Sequence, residues 1–148
     1  QGFDFPVAGV DALVTGRPGT LLAILVADCC AVFIADKKGR GIALVHSGRK
    51  GSEMGIVSRA IFSMGELGIP PGDLVAVLSP CIRPPAYEKD FAAIIHRDCL
   101  LAGIPAPQVH DAGICTSSDP GRYYSYRREG GRTGRMLALL GLSPSNGL

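Results

Sequence analysis

At 148 residues the chain is long enough for one domain with a sizeable core. It is 47% hydrophobic and 19% charged, which excludes a disordered segment, and a net charge of +2 spread along the chain gives no nucleic-acid track. No apolar run reaches the ~18 residues of a membrane span, and no charged region followed by an apolar core marks a secretory leader.

Residues 1–9 read as an extended arm, residues 11–14 as a short strand, and the Gly16-Arg17-Pro18-Gly19 stretch as a turn. Residues 21–27 are almost unbroken in their apolar character, which predicts a strand buried on both faces. Residues 31–35 and 41–45 are two further apolar runs around a short polar loop with Gly39, which predicts a hairpin. A turn centred on Lys38-Gly39 sets Ala31 opposite His46. Side chains alternate along a strand, so Cys29, Ala31 and His46 then share one face and Cys30 takes the other. Cys29 and His46 become diagonal neighbours, roughly 7–8 Å apart at the backbone. A one-residue slip would exchange the two cysteines.

After His46 a loop with Gly48, Arg49, Lys50 and Gly51 leads into a helix over residues 52–67, with Ser52 as its N-cap. Ile56, Ala60, Ile61, Met64 and Leu67 set its 3.6-residue period. Residues 74–78 form another buried strand, followed by a proline-stiffened loop with Cys81. A second helix is predicted over residues 89–102, then strands over residues 108–112 and 123–126, and a strand or helical turn over residues 136–142. These elements give an α+β class with a mixed sheet. The domain is expected to fill residues 1–142, with residues 143–148 as a tail.

Five cysteines is an odd count, and no CxxC pair occurs. Free or metal-bound thiols in a reducing compartment are expected, with the cytoplasm as default. Cys29 and His46 suit two chemistries. A metal takes thiolate and neutral imidazole, usually with a third protein ligand. A cysteine hydrolase sets a thiolate beside an imidazole. A packed thiol and a strand-capping histidine are the plain alternative. Cys81 stands in a loop after a strand, a frequent place for a functional residue. Arg49 and Lys50 at a helix start suggest anion binding, or simply solvated charge. Residues 122–135 hold five arginines and three tyrosines, which suits a small phosphorylated or anionic ligand better than RNA.

The motifs ADCC at residues 27–30, VHSGRKG at 45–51, SPCIRPPAYE at 79–88, CT at 115–116 and SYRREGGRTGRM at 125–136 occur in the order of one family. They resemble the bacterial laccase-domain proteins, also called multicopper polyphenol oxidoreductases. The resemblance implies a layered sandwich of mixed sheets flanked by helices, shared with a toxin deamidase. It implies zinc-dependent phosphorolysis of adenosine or inosine, with adenosine deaminase side activity, and zinc over copper, since three histidines are too few for a multicopper centre. Its site maps onto Cys29 and His46 as catalytic and metal-binding residues. Lys50, Arg127 and Arg128 map onto phosphate binding.

The sequence departs from the family pattern in three places. No histidine precedes His46 to serve as the family's first metal ligand, so Cys81, another thiol or a second subunit is the expected source of a third. The loop carries Arg49 and Lys50 where the family has an aromatic residue and an arginine. Relatives carry more chain between Glu88 and the following helix, which together with the absent upstream segment suggests a compact or N-terminally truncated member. A Cys–His deamidase with Cys29 as nucleophile, and a non-catalytic relative that binds a nucleotide or partner, remain as alternatives.

Overall fold

The fold is taken from a computed structural model that describes residues 6–144. Its strands are β1 (Ala12–Thr15), β2 (Leu21–Val26), β3 (Cys30–Asp36), β4 (Ile42–Ser47), β5 (Leu74–Leu78), β6 (Val109–Asp111) and β7 (Met136–Gly141). Its helices are α1 (Arg49–Glu53), α2 (Ile56–Glu66) and α3 (Phe91–Leu101). Five strands form a mixed sheet in the order β1-β4-β3-β5-β6, antiparallel except for the parallel β5–β6 pair. The α3 crossover joins that parallel pair, as parallel neighbours require. Strands β2 and β7 form a separate antiparallel sheet.

The β3–β4 hairpin has the predicted register, with Ala31 opposite His46 and Ala35 opposite Ile42. Its turn is closed by the Asp36 amide donating to Gly41 O at 3.0 Å and by the Gly39 amide donating to Asp36 O at 3.0 Å. Gly39 has φ +72°, a conformation glycine adopts without penalty. Alternation along the hairpin feeds two cores. Cys30, Val32, Ile34, Ala43 and Val45 belong to the core that also takes Val57, Ile61 and Met64 of α2 and Ile95 of α3. Ala31, Ile42 and Leu44 belong to a second core with Leu22, Val26 and Ala138 of the two-stranded sheet. The result is three layers: helices, five-stranded sheet, two-stranded sheet.

Three expectations are corrected. The helix over residues 52–67 is broken in two, because Gly55 adopts a left-handed φ of +66°. Ser52 is therefore no cap; it lies inside α1, buried, with its hydroxyl 3.0 Å from that of Ser47. The run over residues 21–27 is covered on one face only, since β2 stands outside the five-stranded sheet and leaves Leu21 and Leu25 exposed. Residues 123–125 are irregular and Tyr126 opens a turn, so no strand forms there. Their backbone is engaged locally, the Tyr123 amide donating to Asp119 O and the Glu129 amide to Ser125 O. The strand reading of residues 136–142 is met by β7. Of the expected N-terminal arm and C-terminal tail, residues 1–5 and 145–148 lie outside the described residues.

Candidate functional site

The bend between β2 and β3 is the centre of the site. Asp28 there has φ +79°, a strained value for a residue with a side chain. Three contacts hold it. Its Oδ1 accepts from the Thr116 hydroxyl at 2.7 Å, its Oδ2 from the Arg127 amide at 2.7 Å, and its carbonyl from the Ile82 amide at 2.8 Å. Asp28 thus ties together the three loops that carry the chemistry-bearing motifs, two through its buried carboxylate and one through its backbone carbonyl.

The next residue, Cys29, lines a cavity of about 420 Å³ together with His46, Asp28, Arg49, Arg127 and Arg135. Tyr87, Phe91 and Tyr126 supply aromatic walls. Gly48 makes room for the thiol: a Cβ on it would stand 2.4 Å from Cys29 Sγ. Burial, then the neighbouring Asp28, pushes the Cys29 thiol up to about 11, while Arg135 pulls the other way. No hydrogen bond joins Cys29 to His46. His46 Nδ1 instead lies 3.2 Å from Asp11 Oδ1 on the neighbouring edge of the sheet. A carboxylate on one ring nitrogen orients the imidazole and leaves Nε2 for another partner, the arrangement metal-ligating histidines use.

The other site residues expected from sequence are placed elsewhere. Lys50 is exposed and does not line the cavity; its neighbour Arg49 does. Arg128 donates to the backbone carbonyls of Ser117 at 2.8 Å and Tyr123 at 3.1 Å, a staple between loops. Cys81 is fully buried and outside the cavity lining. It sits beside Cys30, whose thiol is pushed up by their mutual hydrogen bond and by burial, and it forms a backbone bridge with Cys115. The sequence reading passed over Arg135 as an individual residue, Tyr87, and the Asp11–His46 contact. Arg127 stands over the Tyr87 ring at 4.6 Å, a pairing that the Tyr-rich and Arg-rich motifs signalled in kind but not in partner. A larger groove of about 610 Å³ lies between α2 and α3, but Glu66 is the one titratable side chain in its wall.

The chain matches the profile of the family described as multi-copper polyphenol oxidoreductase laccase over residues 2–90 and 88–143. It belongs to that family. The two matched segments meet at residues 88–90, where the motif order places extra chain in relatives. A curated relative named purine nucleoside phosphorylase from Deinococcus radiodurans is 36% identical over 161 residues, which cover 93% of this chain and 63% of that protein. One of the same name from Pseudomonas aeruginosa is 30% identical over 164 residues, covering 92% and 66%. The crystal structure of YlmD from Geobacillus stearothermophilus superposes with a TM-score of 0.86 at 27% identity, over 91% of this chain and 62% of that one. The chain therefore spans just under two thirds of the length of these relatives.

The family's name speaks of several coppers. Of this chain's three histidines only His46 reaches the cavity, with His96 on α3 and His110 on β6. Cys29 and His46 are a thiol and an imidazole, a donor pair suited to zinc. No group of three His, Cys, Asp or Glu side chains converges to hold a metal among the described residues. The pair would fill two positions of such a site, and no third donor converges with it among the described residues. No helix among the described residues is long and apolar enough to cross a membrane.

Proposed function

We propose that this chain carries the catalytic cleft of a purine nucleoside phosphorylase, acting on adenosine or inosine with phosphate. The observation that supports it most is one cavity bringing Cys29, His46 and Arg127 together with aromatic walls. A purine would stack on the Tyr126 ring in the cavity wall. Arg127, held at its amide by Asp28, would grip inorganic phosphate and aim it at the ribose carbon. Two further guanidiniums in the cavity wall, Arg49 and Arg135, would stabilise the negative charge in the transition state. Lys50 and Arg128, expected from the motifs, would act at a distance, Arg128 by fixing the loop that bears Arg127.

Cys29 and His46 are the side chains that would hold zinc, with a third donor from outside the described residues or from a second subunit, as in a homo-oligomer. Cys81 could serve only by leaving its buried place beside Cys30. Zinc would supply Lewis acidity at the cleft, which would also account for adenosine deaminase activity. A cytoplasmic location goes with this reading, supported by five unpaired cysteines.

The test is release of hypoxanthine from inosine by metal-saturated protein with and without phosphate. Phosphate-dependent release, lost in Arg127→Gln, is the expected result; none at any phosphate concentration sinks the reading. Metal content by plasma mass spectrometry, beside Cys29→Ala and His46→Ala, checks the zinc. About one zinc per chain, lost in both variants, is expected. The Cys–His deamidase alternative requires a ready thiolate, and the raised Cys29 thiol with no bond to His46 weighs against it. The short donor count favours, as a second reading, a binding relative without turnover.

A further inference from the structure

Five charges alternate in sign beside the Cys29 cavity. Lys89 pairs with Glu53, and Glu53 lies 3.6 Å from Arg49 Nε. Arg49 Nη1 lies 3.7 Å from Glu88 Oε1, and Glu88 Oε2 accepts from Arg127 Nη2 at 3.2 Å. The series joins the segment before α3, the short α1 and the loop that bears Arg127. Glu88 is clasped between Arg49 and Arg127, two of the arginines in the cavity wall. Its own backbone amide, followed by Arg127 and Arg49, holds its carboxyl below the usual carboxylate range, so it is ionised at neutral pH.

A carboxylate between two guanidiniums occupies the position an anion would take. Two features set this clasp apart from the arginines that serve the fold. The first is exposure. Arg128 is spent on the Ser117 and Tyr123 carbonyls, and Arg83 is 18% exposed in its pair with Asp111. The side chains of Glu88 and Arg127 are 53% and 52% exposed, and that of Arg49 is 57% exposed. Ion pairs so open to water are weak, and they part at little cost. The second is that Arg127 does not depend on Glu88 for its place. Its guanidinium stands 4.6 Å over the Tyr87 ring, and its amide donates to Asp28 Oδ2 at 2.7 Å. Both supports remain when Glu88 moves away. Nη2, the atom Glu88 holds, belongs to both forks by which a guanidinium grips a phosphate. A carboxylate there takes a donor and sets a negative charge where another anion has to come.

We propose that Glu88 is an internal competitor for inorganic phosphate, and that its displacement from Arg127 and Arg49 sets the phosphate affinity of the cleft. The inference rests on the phosphorylase reading, in which Arg127 grips phosphate. As phosphate takes over Arg127, the Glu88 carboxylate swings into solvent and Arg49 exchanges it for the incoming anion. No covalent bond changes in this exchange. A change at Glu88 therefore moves the KM for phosphate and not the KM for the nucleoside.

The experiment measures base release from inosine by metal-saturated protein at low ionic strength, with phosphate and inosine varied in turn. Wild type is compared with Glu88→Gln, which removes the charge at constant size, and Glu88→Asp, which keeps it. The KM for phosphate should fall about two- to fivefold in Glu88→Gln, the range an exposed ion pair supports. The KM for inosine should stay at the wild-type value, and Glu88→Asp should stay nearer to wild type in both. A fold defect would weaken phosphate binding, the opposite direction. An unchanged or raised phosphate KM in Glu88→Gln overturns the proposal, since Glu88 would then be idle or would hold Arg127 in place; phosphate-dependent base release would still leave the phosphorylase reading standing. Calorimetric titration with inorganic phosphate separates the two in the other direction. If no base is released, but phosphate binds two- to fivefold tighter to Glu88→Gln than to wild type and Arg127→Gln abolishes binding, the phosphorylase reading fails and the competition stands. Equal phosphate affinity in wild type and Glu88→Gln, or no phosphate binding to either, overturns the competition.

Discussion

Strands β2 and β3 look alike as sequence and have opposite fates. Both are apolar runs of six or seven residues. β3 sits in the middle of the five-stranded sheet and feeds a core on each face, with Val32 and Ile34 fully buried on one side and Ala31 on the other. β2 pairs only with β7, and its outer face stays open. Leu21 and Leu25 are 63% and 60% exposed, beside Leu137 and Leu139 of β7 at 59% and 48%. Burial of a strand is decided by what stacks on it, and an apolar run states only that something could. The cavity lies where the two regions meet, between the end of β2 and the start of β3.

The largest expected contrast is in stability. Ile34→Ala in β3 should cost about 3–4 kcal/mol in urea unfolding, from lost transfer energy and the cavity left behind. Leu25→Ala in β2 should cost below about 1 kcal/mol, because the side chain is already mostly in water. Equal losses would mean that the outer face of β2 is covered in solution.

Next comes Asp36, at the hairpin end of β3. Its carboxylate accepts from Arg40 Nε at 2.7 Å and Nη2 at 2.9 Å and from the Arg40 amide at 2.9 Å. The Arg40 hydrogen bonds hold it well below the usual carboxylate range. A depressed folded value means the stabilisation is fully present above the unfolded value of about 3.9 and is lost as pH falls below it. Asp36→Asn should cost about 2 kcal/mol at pH 7 and flatten the stability curve below pH 4. A variant with wild-type acid sensitivity would remove Asp36 from that role.

At the boundary of the two regions, Gly48→Ala should leave unfolding within about 1 kcal/mol of wild type while displacing Cys29 from the cavity. Loss of metal or of base release in a protein that unfolds normally is the expected pattern. Retention of both would mean that the thiol position is unimportant.

The smallest effect is a rate difference among thiols. Cys115 is buried enough to be opposed, but hydrogen bonds from Ser117 and the Arg83 amide outweigh that and hold it below the ordinary thiol value. Iodoacetamide at pH 7 should label Cys115 first and Cys29 much more slowly, read by peptide mass spectrometry. Fast labelling of Cys29 would revive the nucleophile alternative.

Local rules made part of the site legible. A five-residue polar loop with one glycine sets the β3–β4 register, and the period of two then sends Cys29 and Cys30 opposite ways. That is why Cys29 and His46 could be paired before any coordinates. The amphipathic stripe of α2 was equally readable, with Val57, Ala60, Ile61 and Met64 on its buried face. The break at Gly55 was not, because a helix pattern tolerates one glycine and only the packed backbone reveals its left-handed turn.

The arginines show where local reading ends. Arg49 and Lys50 are adjacent, as are Arg127 and Arg128, and charge alone cannot separate the members of each pair. Arg49 and Arg127 enter the cavity, while Arg128 is consumed by the Ser117 and Tyr123 carbonyls. Residues 116, 82 and 127 converge on Asp28 although the chain separates them widely, and no spacing rule reports such a junction. What the sequence by itself determined is whatever depends on near neighbours: the hairpin, its register, the helix stripes and the family motifs. Which cations face the thiol, which apolar strand stays exposed and which cysteine is sealed in the core were decided only by tertiary structure, because each depends on segments brought together from far along the chain.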